Sequence, residues 1–188
     1  PNNAAVWSNK GYLLSSLGRY EEALSAYNRA LELNPQQPGI WALKASTFVM
    51  LNRFDEAINA ADNELKTNPS NTRALIAKGD ALIGLEKYTD AAKVYRAALQ
   101  LDPSSATTWF SLGYSLHNTK DYSGAVNAYR KALEIRPDYS QAWTFQVSAL
   151  IDSGRGDEAI RYYDRTLSED RNNTIALMNK GYALHQMK

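Results

Sequence analysis

Prolines stand at positions 35, 69, 103 and 137, each 34 residues after the last, and Pro1 lies on the same grid. A chain that repeats at that interval builds its fold from copies of one small unit, each packing on its neighbours. Registered on the prolines, Trp7, Trp41, Leu75, Trp109, Trp143 and Leu177 share one column. A second holds Ala23, Ala57, Ala91, Ala125 and Ala159, and a third holds Tyr27, Tyr95, Tyr129 and Tyr163. Leu14, Phe48, Leu82, Leu116, Leu150 and Leu184 form a fourth.

Within one unit Trp7, Gly11 and Leu14 recur at the spacing of an amphipathic helix, here helix A, which Gly18 is placed to end in a left-handed turn. Ala23, Leu24, Tyr27, Ala30 and Leu31 form the stripe of a second helix, helix B, closed by Asn34-Pro35. No strand-like alternation is present. Two short helices cannot bury their apolar faces alone, so the pairs must stack, giving an all-α chain of about eleven helices in an α-solenoid.

The order bulky, Leu-Gly, Ala, aromatic, Pro resembles that of the tetratricopeptide repeat family, whose unit has the same length. The resemblance covers the whole chain as one domain, 1–188, with repeats 4–37, 38–71, 72–105, 106–139 and 140–173 and a partial repeat 174–188. It implies a right-handed superhelix that holds peptides or partner helices on its concave side. Starting and stopping inside repeats, the sequence reads as a segment of a longer array.

Composition narrows the function. Lys+Arg total 21 against 20 Asp+Glu, a net charge of +1, so neither nucleic acid nor an anionic membrane is favoured as a partner. There is no cysteine, which excludes disulfides and thiolate chemistry and fits a cytoplasmic setting. No apolar run is long enough to span a bilayer, and Pro1-Asn2-Asn3 does not begin a signal peptide.

No column points to catalysis, a metal or a cofactor. The tryptophans and Phe48 are expected in the core against helix B, and Gly11, Gly79, Gly113 and Gly181 are expected to face the alanines of helix B at a close crossing. Glu21-Glu22, Asp55-Glu56 and Asp157-Glu158 occupy first turns of B helices, where the helix dipole favours negative charge. His117 and His185 lie two repeats apart, too far for one metal. Arg155-Gly156-Asp157 reads as turn chemistry rather than an adhesion motif, and Asn172-Asn173-Thr174 is a glycosylation sequon only in a secreted protein. Lys10, Lys44, Lys78 and Lys180 form a column whose stems are expected to cover the helix seam with their ammonium groups in water. Phe48 is expected to fill the space left by Ala61, where other repeats have tyrosine, and Val147, Gly156, Thr166 and Arg171 mark the fifth repeat as weakly packed.

Function is expected on the opposite face of helix A. A projection at about 100° per residue places there Tyr12, Met50, Arg73, Asp80, Phe110, Tyr114, His117, Asn118 and Tyr182 as groove residues. Few of that face's residues are charged, so a peptide or helix would be held by apolar and neutral polar contacts. The carboxylate clamp by which some family members hold chaperone tails is not matched: its places hold Ser8, Tyr12, Leu43, Arg73 and Ala77, and only Arg73 fits. The expectation is a non-catalytic interaction scaffold for a protein or peptide ligand. The alternatives are a module that self-associates through its terminal helices, a docking arm for an enzyme domain elsewhere, and, against its charge, a nucleic-acid-binding solenoid.

Overall fold

A computed structural model describes residues 3–187 and contains, among them, only helices and their connections. The chain divides into two compact units, Pro1–Asp102 and Pro103–Lys188. The first holds the pairs α1 (Ala4–Ser16) with α2 (Tyr20–Leu33), α3 (Ile40–Met50) with α4 (Phe54–Thr67), and α5 (Thr72–Gly84) with α6 (Tyr88–Leu101). The second holds α7 (Ala106–Asn118) with α8 (Tyr122–Ile135), α9 (Ser140–Asp152) with α10 (Gly156–Glu169), and α11 (Thr174–Gln186). None is long and apolar enough to cross a membrane.

The helix ends follow from local chemistry. Asn3, Asn71, Ser105 and Asn173 cap α1, α5, α7 and α11 by accepting backbone N–H bonds through their side chains. The A helices α1, α3, α5, α7 and α9 each close with a left-handed residue, followed by an N–H that bonds five residues back, as Arg19 N to Leu14 O at 2.9 Å and Asp121 N to Leu116 O at 2.9 Å. Gly18 and Gly154 adopt that conformation freely, but Asn52, Glu86 and Lys120 adopt it too, at φ of 56°, 58° and 65°. The turn therefore imposes the backbone whatever residue occupies it, at a steric cost that glycine would avoid. B helices end on an extended residue, Asn34, Asn68, Asp102 or Arg136, each preceding a proline. Asp170 takes the same conformation before Arg171, so the stop survives without the proline.

Ala23, Ala57, Ala91, Ala125 and Ala159 are at most 1 % exposed and form the spine of the core. What lies nearest to Gly11, Gly79 and Gly113 is a tyrosine ring of the paired helix. A Cβ built on Gly11, Gly79 or Gly113 would stand 2.5 or 2.6 Å from ring atoms of Tyr27, Tyr95 or Tyr129, so the missing side chain makes room for a tyrosine ring. The second repeat has Ala45 and Ala61 instead of glycine and tyrosine, and Phe48 packs against that alanine-rich cluster. In the fifth repeat Val147 replaces the glycine while Tyr163 is kept; both are buried, and the Tyr163 ring lies 6.0 Å from Trp143 and 5.3 Å from Tyr162.

Two further expectations are corrected. The tryptophans pack against the core clusters but are only half-buried, at their edge; Trp109 and Trp143 donate their indole N–H to the carbonyls of Pro103 and Pro137 at 2.9 and 2.8 Å. The lysine column does not simply reach water. Lys44 Nζ bonds Asn28 Oδ1 at 2.7 Å and lies 4.5 Å from the Trp41 ring centre, while Lys78 and Lys180 pair with Asp62 and Asp164 at 2.6 and 2.5 Å. Each ties an A helix to the B helix of the preceding repeat. Lys44 is 9 % exposed, and burial lowers the pKa of its ammonium.

Candidate functional site

In the first unit the candidate face is formed by α1, α3 and α5. Tyr12 and Met50 are 52 % and 58 % exposed, apolar surface that the packing of the unit leaves uncovered. Arg73 is exposed in the first turn of α5 and makes no ion pair among the described residues. Asp80 is different in kind. It is half-buried, its Oδ1 accepts the Tyr95 hydroxyl at 2.6 Å, and burial raises its carboxyl pKa while that hydrogen bond works in the opposite sense. The Tyr95 ring is the one lodged against Gly79, so Asp80 closes the polar end of a packing contact. Elsewhere in this unit the Ser15 and Thr47 hydroxyls meet at 3.5 Å across α1 and α3.

In the second unit the face of α7, α9 and α11 carries an aromatic cluster. Phe110 has Tyr139, Phe145 and Tyr129 ring centres at 5.1, 5.5 and 5.6 Å, and Tyr114 contacts Phe145 at 5.7 Å. Phe110 and Tyr114 are thus brought together by Phe145, a residue that the helical projection did not single out. Its column otherwise reads Asn9, Leu43, Ala77, Ser111 and Asn179, so a lone aromatic there was the available signal. His117 Nε2 lies 2.6 Å from Asp152 Oδ2 and its ring meets the edge of Tyr122, linking α7, α8 and α9. Asn118 Nδ2 donates to the Tyr114 carbonyl at 2.8 Å. Tyr182 is half-buried on α11, where Met178 is 59 % exposed.

The remaining charged motifs have local partners. Glu22, Glu56 and Glu158 each pair with the arginine three residues earlier, Arg19, Arg53 and Arg155, and the arginine hydrogen bond is the chief reason the carboxyls of Glu22 and Glu56 fall below their ordinary range. Gly156 of the Arg-Gly-Asp stretch is buried, and Gly154 before it takes the left-handed turn. Among the described residues no three His, Cys, Asp or Glu lie together as a metal would require.

Comparison with known proteins bears on this geometry. Family models described as tetratricopeptide repeat match residues 4–37, 43–106, 76–140 and 116–180. A search of curated protein sequences gives no match. Among solved structures the chain is similar to YrrB, described as a TPR protein with an unusual peptide-binding site, at 22 % identity and a TM-score of 0.75, covering 96 % of this chain and 93 % of that one. MamA 41-end from Desulfovibrio magneticus RS-1 is similar at 19 % identity and a TM-score of 0.79, with 91 % and 97 % covered. TTC0263, a thermophilic TPR protein from Thermus thermophilus, is similar at 21 % identity and a TM-score of 0.67, with 96 % and 98 % covered. At these identities the likeness is one of fold.

Proposed function

The chain belongs to the tetratricopeptide repeat family, and on that footing we propose that it is a non-catalytic scaffold that holds a protein segment against the exposed faces of its A helices. The observation that carries this reading is the exposed surface of the A helices, Tyr12 on α1 and Met50 on α3, both more than half exposed, and on α5 the exposed Arg73, which has no ion-pair partner among the described residues. Tyrosine offers a large amphipathic contact at small entropic cost, and methionine adapts to varied partner shapes. Arg73 adds one fixed point for a carboxylate or a peptide carbonyl. The peptide-binding description of YrrB supports the class of ligand without identifying it.

Selection of binders from a peptide display library against the full chain, followed by titration of the selected peptides against a Tyr12→Ser, Met50→Ser, Arg73→Ser variant, tests the reading. Binding is expected to fall at least about tenfold, as loss of contacts worth about 1.4 kcal/mol or more requires, and to change little between low and high salt. Peptides that bind the variant undiminished would refute it.

Self-association is a second reading, supported by Val6, Leu13 and Leu17 at the first A helix, which are 47 %, 62 % and 71 % exposed. Light scattering over a range of concentrations distinguishes it, since a monomer throughout removes it.

A further inference from the structure

The seam between α8 and α9 carries a cleft of about 530 Å³ on the side of the B helices, away from the A-helix faces discussed above. Its counterpart three repeats earlier lies between α2 and α3. The two share a wall position by position: Asn28, Leu31, Glu32, Pro35, Trp41 and Lys44 in the first, and Arg130, Leu133, Glu134, Pro137, Trp143 and Gln146 in the second.

They differ where chemistry matters. In the first, Lys44 reaches across to Asn28 at 2.7 Å and lies over Trp41, so the seam is pinned and the polar groups satisfy each other. In the second, the pinning lysine is replaced by Gln146, whose side chain makes no hydrogen bond among the described residues, and Arg130, in the place of Asn28, bonds Asn127 of its own helix at 2.8 Å and does not reach across to α9. The first cleft has no wall from α4; the second runs on to Leu150 and to Ala159, Tyr162 and Tyr163 of α10. Tyrosines at 162 and 163 stand where the second repeat has Ala60 and Ala61, and they deepen the apolar wall. The result is an open, aromatic-walled slot of a size that takes ligands, with the Gln146 amide in it.

From this arrangement we infer that the α8–α9–α10 cleft is a second binding site, for an extended polypeptide segment that inserts one aliphatic or aromatic side chain beside Trp143 and Tyr162. Gln146 carries a donor and an acceptor on one plane, the complement of a peptide group, and meets the backbone flanking the anchor. The charges that line the rim all stand in ion pairs, Glu158 with Arg155 at 2.8 Å and Glu134 with Lys131 at 2.6 Å and with Arg130 at 4.0 Å, so their charges are largely balanced within the rim. An uncharged segment with an apolar anchor is the occupant whose chemistry this wall matches.

The test uses the full chain and the blocked pentapeptide acetyl-Ser-Gly-Leu-Gly-Ser-amide, with the same peptide carrying Asp for Leu, N-acetyl-leucine amide, and indole as controls. The Trp143 indole and Gln146 amide resonances are followed by NMR. Saturable shifts with the leucine peptide, weaker with N-acetyl-leucine amide and absent with the Asp peptide, are expected. A variant with Gln146→Lys and Arg130→Asn recreates the pin of the α2–α3 seam and should abolish the shifts. Gln146→Ala leaves the cleft open and removes only the amide, and should weaken binding about threefold to tenfold, the range for one neutral hydrogen bond. Circular dichroism confirms that both variants fold. No saturable shift, unchanged binding by either variant, or indole binding as tightly as the peptide would overturn the inference. Concentration-dependent shifts of these resonances without peptide would assign the cleft to a second copy of the chain and overturn it as well. The Tyr12→Ser, Met50→Ser, Arg73→Ser variant should leave peptide binding here unchanged, so this site and the A-helix reading fail independently.

Discussion

Replacing Gly113 by alanine measures how far the crossing of α7 and α8 depends on the tyrosine ring lodged between them. In an exposed helix the change would stabilise by about 1 kcal/mol, since alanine is the better helix former. Here the new Cβ would stand 2.6 Å from Cε1, 2.7 Å from Cδ1 and 3.0 Å from Cζ of Tyr129. Carbon atoms rest at about 3.5–4.0 Å, so the ring must retreat by about 1 Å. It has no room to do so, being fully buried with Phe110 at 5.6 Å and Phe145 at 6.1 Å. Overpacking of this kind costs about 1–3 kcal/mol, and with the propensity gain set against its upper range the net loss is about 1–2 kcal/mol. Tyr129→Ala alone should cost about 3–5 kcal/mol through lost burial and a cavity. The double variant reproduces the Ala45 and Ala61 pairing of the second repeat, and the overlap vanishes with the ring. It should therefore be more stable than the sum of the single changes predicts, by about 1–3 kcal/mol. Urea denaturation followed by circular dichroism gives the cycle. A Gly113→Ala chain that unfolds at higher urea than the parent, or a strictly additive double variant, would refute the reasoning.

Lys120→Gly should raise stability by about 0.5–1 kcal/mol, since Lys120 is held at φ 65°; a thermal midpoint that falls would contradict this. Asp80 has its pKa raised by burial, so the native chain holds more protons than the unfolded one, and this group's stability is greatest below its unfolded value and declines as pH rises through the folded one. Asp80→Asn keeps an acceptor for Tyr95, so it should stabilise the chain at pH 7 and lose that advantage in acid; equal differences from wild type at both pH values would count against it. Amide protons of α10 should exchange faster than those of α8, because Val147 stands in the glycine place of the α9–α10 crossing; exchange no faster in 156–169 than in 122–135 would show the fifth repeat to be as firmly packed.

Much of the fold was legible because its signals are local. The proline interval, the alanine column and the residues that cap and stop each helix act within a few positions of where they stand, and a helical projection reads them directly. That Tyr12, Met50 and Arg73 point away from the buried stripe of their helices was legible for the same reason. What the projection lacks is depth, the knowledge of which residue arrives from the neighbouring helix and how far it reaches. The glycines were expected to face alanine, and the tyrosine rings of the partner helix that lie nearest to Gly11, Gly79 and Gly113 were not foreseen. The lysine stems were expected to end in water and instead bridge to side chains 16 residues earlier, on the helix of another repeat. Phe110 and Tyr114 were legible as aromatic residues on one face, but their engagement with Phe145 depends on the approach of α9. The cleft at Gln146 belongs to the same category, since a column that reads lysine four times, leucine once at Leu112 and glutamine once acquires meaning only when the lysine is seen to close a seam. Repetition specifies what each helix is and which way it turns its side chains, because those follow from the backbone's own period. Contacts between helices depend on crossing distance, which side-chain volumes from two separated stretches set jointly, and only the packed structure resolves that.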